Sequence, residues 1–172
     1  MSYLSKVLLV VAAFGLAACN NPDRFRGSDG MGGTGAGGID SSSLGSAGDP
    51  RSVAYFQQSV GDRIFFAVDQ STLSNEARGT LGQQAQWLIT NQGYAVVMEG
   101  HADEQGTRIY NLNLSEKRAN AARDFLISQG VSPERVRTIG YGKERPVEVC
   151  STEDCYSRNR RAVTVLSLGA GS

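Results

Sequence analysis

The residues of this chain best suited to chemistry lie in one stretch. It reads Gly100-His101-Ala102-Asp103-Glu104-Gln105-Gly106-Thr107, then Asn111-Leu112-Asn113-Leu114-Ser115-Glu116-Lys117-Arg118. Asp103 follows an apolar run that reads as a strand, and open α/β sheets bind ligands beyond the carboxyl ends of their strands. Arg118 falls in the early turns of the helix that should follow. If that helix packs back along the strand, a carboxylate and a guanidinium face one groove. Such a pair complements a zwitterion, because the carboxylate accepts from an ammonium group and the guanidinium forks onto a carboxylate. N–H groups at the helix N-terminus would add anion contacts. The same two residues also suit a plain structural ion pair, which is common on helix faces. Both readings stand on the chemistry alone.

Three other groups invite sharper readings. His101 is the sole histidine. A lone His in a turn reads as a structural hydrogen-bonding residue rather than a metal ligand. A Ser115–His101–Asp103 triad can be drawn, but nothing resembles a nucleophile elbow or an oxyanion hole. Arg158, Arg160 and Arg161 form a small basic cluster, read as a solvated face or local ion pairs, with contact to a glycan or protein partner as the alternative.

The elements that must position these residues follow from periodicity. Ile64 to Val68 is a short apolar run and the first strand. Ser74 is placed to cap a helix with Glu76 in its first turn. Ala77, Leu81, Ala85 and Leu88 give that helix one apolar face, and Gly93 is expected to close it. Ala95 to Glu99 reads as a buried central strand. Asn113 and Glu116 resemble a capping box for the second helix, which would bury Leu114, Ala121, Ala122, Phe125 and Leu126 and end at Gly130. Val136 to Tyr141 and Ala162 to Leu168 complete a β-α-β-α-β-β order. The fold class is therefore α/β, a small sandwich with a mixed sheet and helices on one face.

Composition bounds the remainder. The chain has 172 residues, 17 basic and 17 acidic side chains, one His and three Cys. A neutral chain offers no global electrostatic case for nucleic acid. So few His and Cys leave no expectation of a metal or cofactor. Residues 1–18 read as a signal: Lys6 is the positive region, and Val7 to Leu16 is an apolar stretch too short to span a bilayer. The ending Leu16-Ala17-Ala18-Cys19 resembles the bacterial lipobox. That resemblance implies cleavage after Ala18 and acylation of Cys19, with several chains giving a stable membrane anchor. Asn20 in place of Asp favours the outer membrane by the same resemblance. Residues 19–50 carry nine of the 21 glycines and read as a flexible linker, with an r.m.s. span of about 30 Å and a contour limit of about 100 Å. Residues 51–172 are the folded domain. With Cys19 assigned to lipid, Cys150 and Cys155 remain. In an oxidising periplasm they are expected to form a local disulfide, with two free thiols as the alternative.

The segment GHADEQGTRIYNLNLSEKRANAARDFL resembles the peptidoglycan-binding signature of OmpA-like domains, and closest among these the lipid-anchored members. FFAVDQSTLS, Gly140 to Pro146 and Ser157 to Val163 agree with it. The resemblance implies non-covalent binding of the diaminopimelate residue of the wall peptide, whose second ammonium–carboxylate centre is the zwitterion argued for above. It places the ligand-binding residues on Asp103, Arg118 and Asp69, and turn-shaping roles on Gly100, Asn111, Leu114 and Ser115. It also implies an outer-membrane lipoprotein with its domain in the periplasm of a Gram-negative bacterium, partnered by TolB and the other Tol components, and no catalysis; the alternatives are an OmpA-like wall-anchoring lipoprotein outside the Tol system and an enzyme acting on peptidoglycan. One departure is Phe66-Ala67-Val68-Asp69, where Val68 replaces an aromatic that lines the groove in the family. On this reading, Asp103→Ala abolishes binding and leaves folding near normal.

Overall fold

A computed structural model describes residues 45–168; Cys19, the signal and most of the expected linker lie outside them. The described chain opens with a turn over residues 45–52, where Ser52 caps the helical start α1 (Val53–Tyr55), continued as a π-helix over Phe56–Gly61. Then follow β1 (Arg63–Phe65), α2 (Asn75–Thr90), β2 (Tyr94–Gly100), α3 (Arg108–Ser128), β3 (Val136–Gly140), α4 (Glu153–Asn159) and β4 (Arg161–Leu168). The end of the expected linker is tied to the domain: the Pro50 carbonyl accepts from Trp87 Nε1 at 2.7 Å and the Arg51 carbonyl from the Tyr94 hydroxyl at 3.0 Å.

The four strands lie in the order β1-β4-β2-β3. β2 runs parallel to β3 and antiparallel to β4, which is antiparallel to β1. The register puts Ile64, Ala162, Gly100 and Gly140 in one row, and Leu166, Val96 and Val136 in another. This is the face buried against Leu81 and Leu88 of α2 and Ala119, Ala122 and Leu126 of α3. Period-two strands buried on one face and helices with one apolar stripe have this two-layer solution. The sheet is mixed and the helices share one face, as the sequence predicts.

Several boundaries differ from expectation, for physical reasons. β1 ends at Phe65, and Ala67 to Gln70 leave the sheet in a turn where Gln70 N–H donates to the Ala67 carbonyl. α2 is capped by Ser74 as expected, but it ends at Thr90. Gly93 does not take the left-handed conformation of a C-terminal cap. Instead the Arg135 guanidinium reaches the carbonyls of Leu88, Asn91 and Tyr94 and satisfies that end. α3 begins at Arg108, not near Asn113, because Thr107 Oγ1 accepts from Tyr110 N–H and acts as the cap. Its buried stripe is Asn111, Ser115, Arg118, Ala119, Ala122 and Leu126. The spacing is helical, but the N-terminal half of the stripe is polar. Gly130 does end α3, at φ 102°.

Candidate functional site

Two glycines let the polar half of α3 come down onto the sheet. A Cβ on Gly100 would stand 1.9 Å from the Ser115 carbonyl oxygen, and one on Gly140 would stand 2.7 Å from Ser115 Oγ. Contacts that short exclude any side chain. Ser115 Oγ uses the proximity, donating to the Leu112 carbonyl at 2.7 Å and accepting from Gly142 N–H at 2.8 Å. Asn111 Nδ2 donates to the carbonyls of Asp103 at 3.2 Å and Gln105 at 2.8 Å, folding the turn between β2 and α3 around its own amide. Gly106 completes the turn at φ 91°.

Three segments then enclose a cleft of about 270 Å³. The turn after β1 supplies Val68 and Asp69, the turn after β2 supplies Asp103, Gln105 and Gly106, and α3 supplies Tyr110, Asn111, Leu114 and Arg118. Tyr110, Leu114 and Arg118 recur every four residues, so they line one helix face. Asp69 is exposed and takes φ 57°, the left-handed region in which Asp is better tolerated than most residues. The Tyr110 hydroxyl donates to its carboxylate, and that bond holds the phenol above its usual pKa. Asp103 is buried. Its Oδ1 accepts from Gln105 N–H at 3.2 Å and its Oδ2 from Arg160 Nη1 at 3.0 Å.

Arg118 differs from the simple sequence picture. It is fully buried, and its guanidinium donates to three carbonyls: Gln70 at 2.8 Å, His101 at 2.9 Å and Ala67 at 3.3 Å. A guanidinium has five N–H donors, so two lack a partner among the described residues. Burial pulls its pKa down to about 10, with Asp103 acting the other way, and it stays a cation at neutral pH. Asp103 and Arg118 line the same cleft, but the cation hydrogen-bonded to Asp103 is Arg160. The cleft thus offers two carboxylates and a buried cation within one cavity, a complement to a ligand carrying both an ammonium and a carboxylate.

Of the two expectations for the basic cluster, the solvated face fails and local ion pairs hold for Arg158 and Arg160. Arg160 and Arg161 are buried, and only Arg158 is exposed, paired with Glu148 at 2.9 Å. His101 and Ser115 are not assembled as a triad. Ser115 is engaged with backbone, while the His101 ring stacks on Tyr141 with centroids 5.5 Å apart and neither ring nitrogen finds a hydrogen-bond partner among the described residues. Cys150 and Cys155 are joined as a disulfide, with Cα atoms 5.9 Å apart.

The same region, from the end of β1 through the site to the start of β4, is what comparison with known proteins recovers. The OmpA family profile matches residues 65–160. The chain belongs to the OmpA family. Among its OmpA-family relatives, the peptidoglycan-associated lipoprotein of Mesorhizobium japonicum is 49% identical over 166 residues, covering 96% of this chain and 93% of that protein. The one from Agrobacterium fabrum is 50% identical over 165 residues, covering 96% and 88%. The crystal structure of the peptidoglycan-associated lipoprotein from Burkholderia pseudomallei superposes with a TM-score of 0.63 at 31% identity, over 70% of this chain and 98% of that one.

Tyr110, which lines this cleft, and Arg160, which bonds to Asp103 from outside it, are not among the site residues that the sequence points to. Tyr110 becomes legible once Thr107 is recognised as the helix cap, because the four-residue spacing from Arg118 through Leu114 then extends to it. Arg160 carries no local signal beyond the Asn159-Arg160-Arg161 run, since its partners Phe66 and Asp103 are distant in sequence.

Proposed function

We propose that this chain is a lipid-anchored protein that grips peptidoglycan without making or breaking a bond. Asp103 and Asp69 receive the ammonium, and Arg118 receives the carboxylate, of the second zwitterionic centre of diaminopimelate in the wall peptide. Asn111, Leu114, Ser115 and Gly100 shape the turn and the close helix–sheet approach around them. The observation that carries this reading is the convergence of Asp69, Asp103 and Arg118, from three separate segments, on one cleft. The peptidoglycan-associated names of the relatives support it.

Acylated Cys19 holds one end in the outer membrane, the residues between it and the turn at 45–52 form the tether, and the folded domain reaches the wall in the periplasm. By kinship with the lipoproteins of that name, the chain works in the Tol–Pal system. There it contacts TolB and draws the outer membrane inward at division. The test is co-sedimentation of the full mature lipoprotein, in detergent, with purified sacculi. Pelleting that free diaminopimelate competes away is the expected result. Retention in the supernatant at physiological salt would reject the reading, and release of muropeptides would replace it with an enzyme.

A further inference from the structure

Arg160 stands outside the cleft, bonded to Asp103 on one side and to the backbone that leads into Asp69 on the other. Its Nη1 donates to Asp103 Oδ2 at 3.0 Å. Its Nε donates to the Phe66 carbonyl at 3.2 Å, and its own carbonyl accepts from Phe66 N–H at 2.9 Å. Phe66 opens the turn that carries Val68 and Asp69, and Arg118 holds the same turn through the Ala67 and Gln70 carbonyls. The neighbouring Asn159 repeats the pattern one residue along, with Nδ2 donating to Glu104 Oε1 at 2.8 Å. Two consecutive residues of the α4–β4 junction therefore grip two consecutive residues of the ligand turn.

The remaining edge of Arg160 is taken by Glu153, which accepts from Nη2 and, at 3.4 Å, from Nη1. Glu153 opens α4 and lies between the two half-cystines, inside the six-residue loop that Cys150–Cys155 closes. It is mostly exposed, whereas Arg160 is buried. A solvent-facing, covalently closed loop thus presents one carboxylate to a buried guanidinium, and that guanidinium presents a second edge to the binding carboxylate. A planar, rigid fork transmits position between its two ends in a way a lysine could not.

We propose that Arg160 is the positioning residue of this site: it fixes the spacing of the Asp103 wall from the Asp69 wall, and the disulfide-closed α4 holds it in place through Glu153. The proposal rests on the zwitterion-binding reading of the cleft and assigns control of that site to a loop that does not touch the ligand. Loosening Glu153 leaves both walls present but lets their spacing vary. The loss then falls on ligands that must satisfy both charges at once, and much less on those that satisfy one.

The experiment uses the full mature lipoprotein in detergent and compares wild type, Glu153→Gln, the Cys150→Ser/Cys155→Ser pair, and Arg160→Lys. Each is measured for sacculus binding and for competition by free diaminopimelate and by lysine blocked at both α groups (Nα-acetyl-lysine amide), whose one remaining charge is the side-chain ammonium. Glu153→Gln and the cysteine pair are expected to weaken sacculus binding on the order of fivefold, the range in which network neighbours couple. Both should also lower the preference for diaminopimelate over the blocked lysine, and their combination should add little to either alone. Arg160→Lys should lose about tenfold and most of the preference. A purely structural role would lower all binding in proportion to the folded fraction and leave the preference unchanged. Wild-type affinity and preference in Glu153→Gln and in the cysteine pair would overturn the proposal. Failure of the wild type itself to bind sacculi would overturn the underlying function instead, so the two failures are separable.

Discussion

The carbonyl of His101 accepts a hydrogen bond from Nη1 of Arg118 at 2.9 Å. This one contact joins the residue just past β2 to the middle of the helix packed on it, and it explains why a cation sits fully buried on the inner face of α3. The guanidinium satisfies carbonyls that no strand partner reaches, at His101, Ala67 and Gln70, and those carbonyls hold it charged at the wall of the cleft.

Arg118→Lys should therefore damage fold and binding together. An ammonium is a compact donor on a flexible stem and cannot replace three directed N–H bonds to separate carbonyls. Hydrogen bonds from charged groups are each worth about 1.5–3 kcal/mol. The expected result is a stability loss of about 3 kcal/mol in urea unfolding, with sacculus binding lost under conditions where the variant is still folded.

The two aspartates should behave differently. Asp103→Ala was expected from sequence to leave folding near normal. The buried pair with Arg160 changes that, because a lost acceptor leaves the guanidinium under-compensated at a cost of about 1–3 kcal/mol. Asp69 is exposed, and Asn tolerates the same left-handed backbone. Asp69→Asn should keep stability within about 0.5 kcal/mol and still weaken sacculus binding. Paired melting and pelleting measurements on both variants check this. Normal pelleting of Asp69→Asn would remove Asp69 from the ligand set.

Gly100→Ala should be among the most damaging single changes in the domain. Its Cβ would meet the Ser115 carbonyl at 1.9 Å, and backbone cannot rotate away as a side chain can. α3 must lift from the sheet, at about 3 kcal/mol or more. Gly79→Ala, which meets nothing within 4 Å on α2, should instead stabilise by a few tenths of a kcal/mol up to about 1 kcal/mol. Opposite shifts of the two melting temperatures are the expected signature.

Acid should destabilise the domain through His101. Burial, with Arg161 and Arg145 nearby, lowers its pKa from 6.5 to about 3; Glu99 lies 3.7 Å from Nε2 and Tyr141 stacks on the ring. The folded state thus holds the neutral imidazole, and the unfolded state binds more protons between those two values. Stability from this group is fully present above pH 6.5 and falls as pH drops toward 3, by up to about 1.4 kcal/mol per unit. His101→Gln should flatten that part of the pH–stability curve measured by urea unfolding.

Local chemistry made much of this domain legible. Ser74 is a cap by residue type and by the apolar periodicity after it, and the structure uses it so. Gly130 stops α3 because a left-handed residue is needed there. The α3 start was misread because Asn113 and Glu116 satisfy the capping pattern as well as Thr107 does. Packing decided between them: the stripe of Asn111, Ser115 and Arg118 is buried, so the helix must already exist at Asn111. A polar stripe has no hydrophobic signature, and reading it as buried requires knowing which carbonyls await it.

The sequence by itself determined the order of the four strands and the two long helices, the apolar face of α2, and the turn that carries Asp103, but not the helical segments at 53–61 and 153–159. What it determined depends on residues within a few positions of one another. Only the tertiary structure decided which cation meets Asp103, since Arg160 arrives from the far end of the chain through the β1-β4-β2 strand order. Pairings across that distance follow from sheet register and helix packing, and no short-range pattern of residue types encodes them.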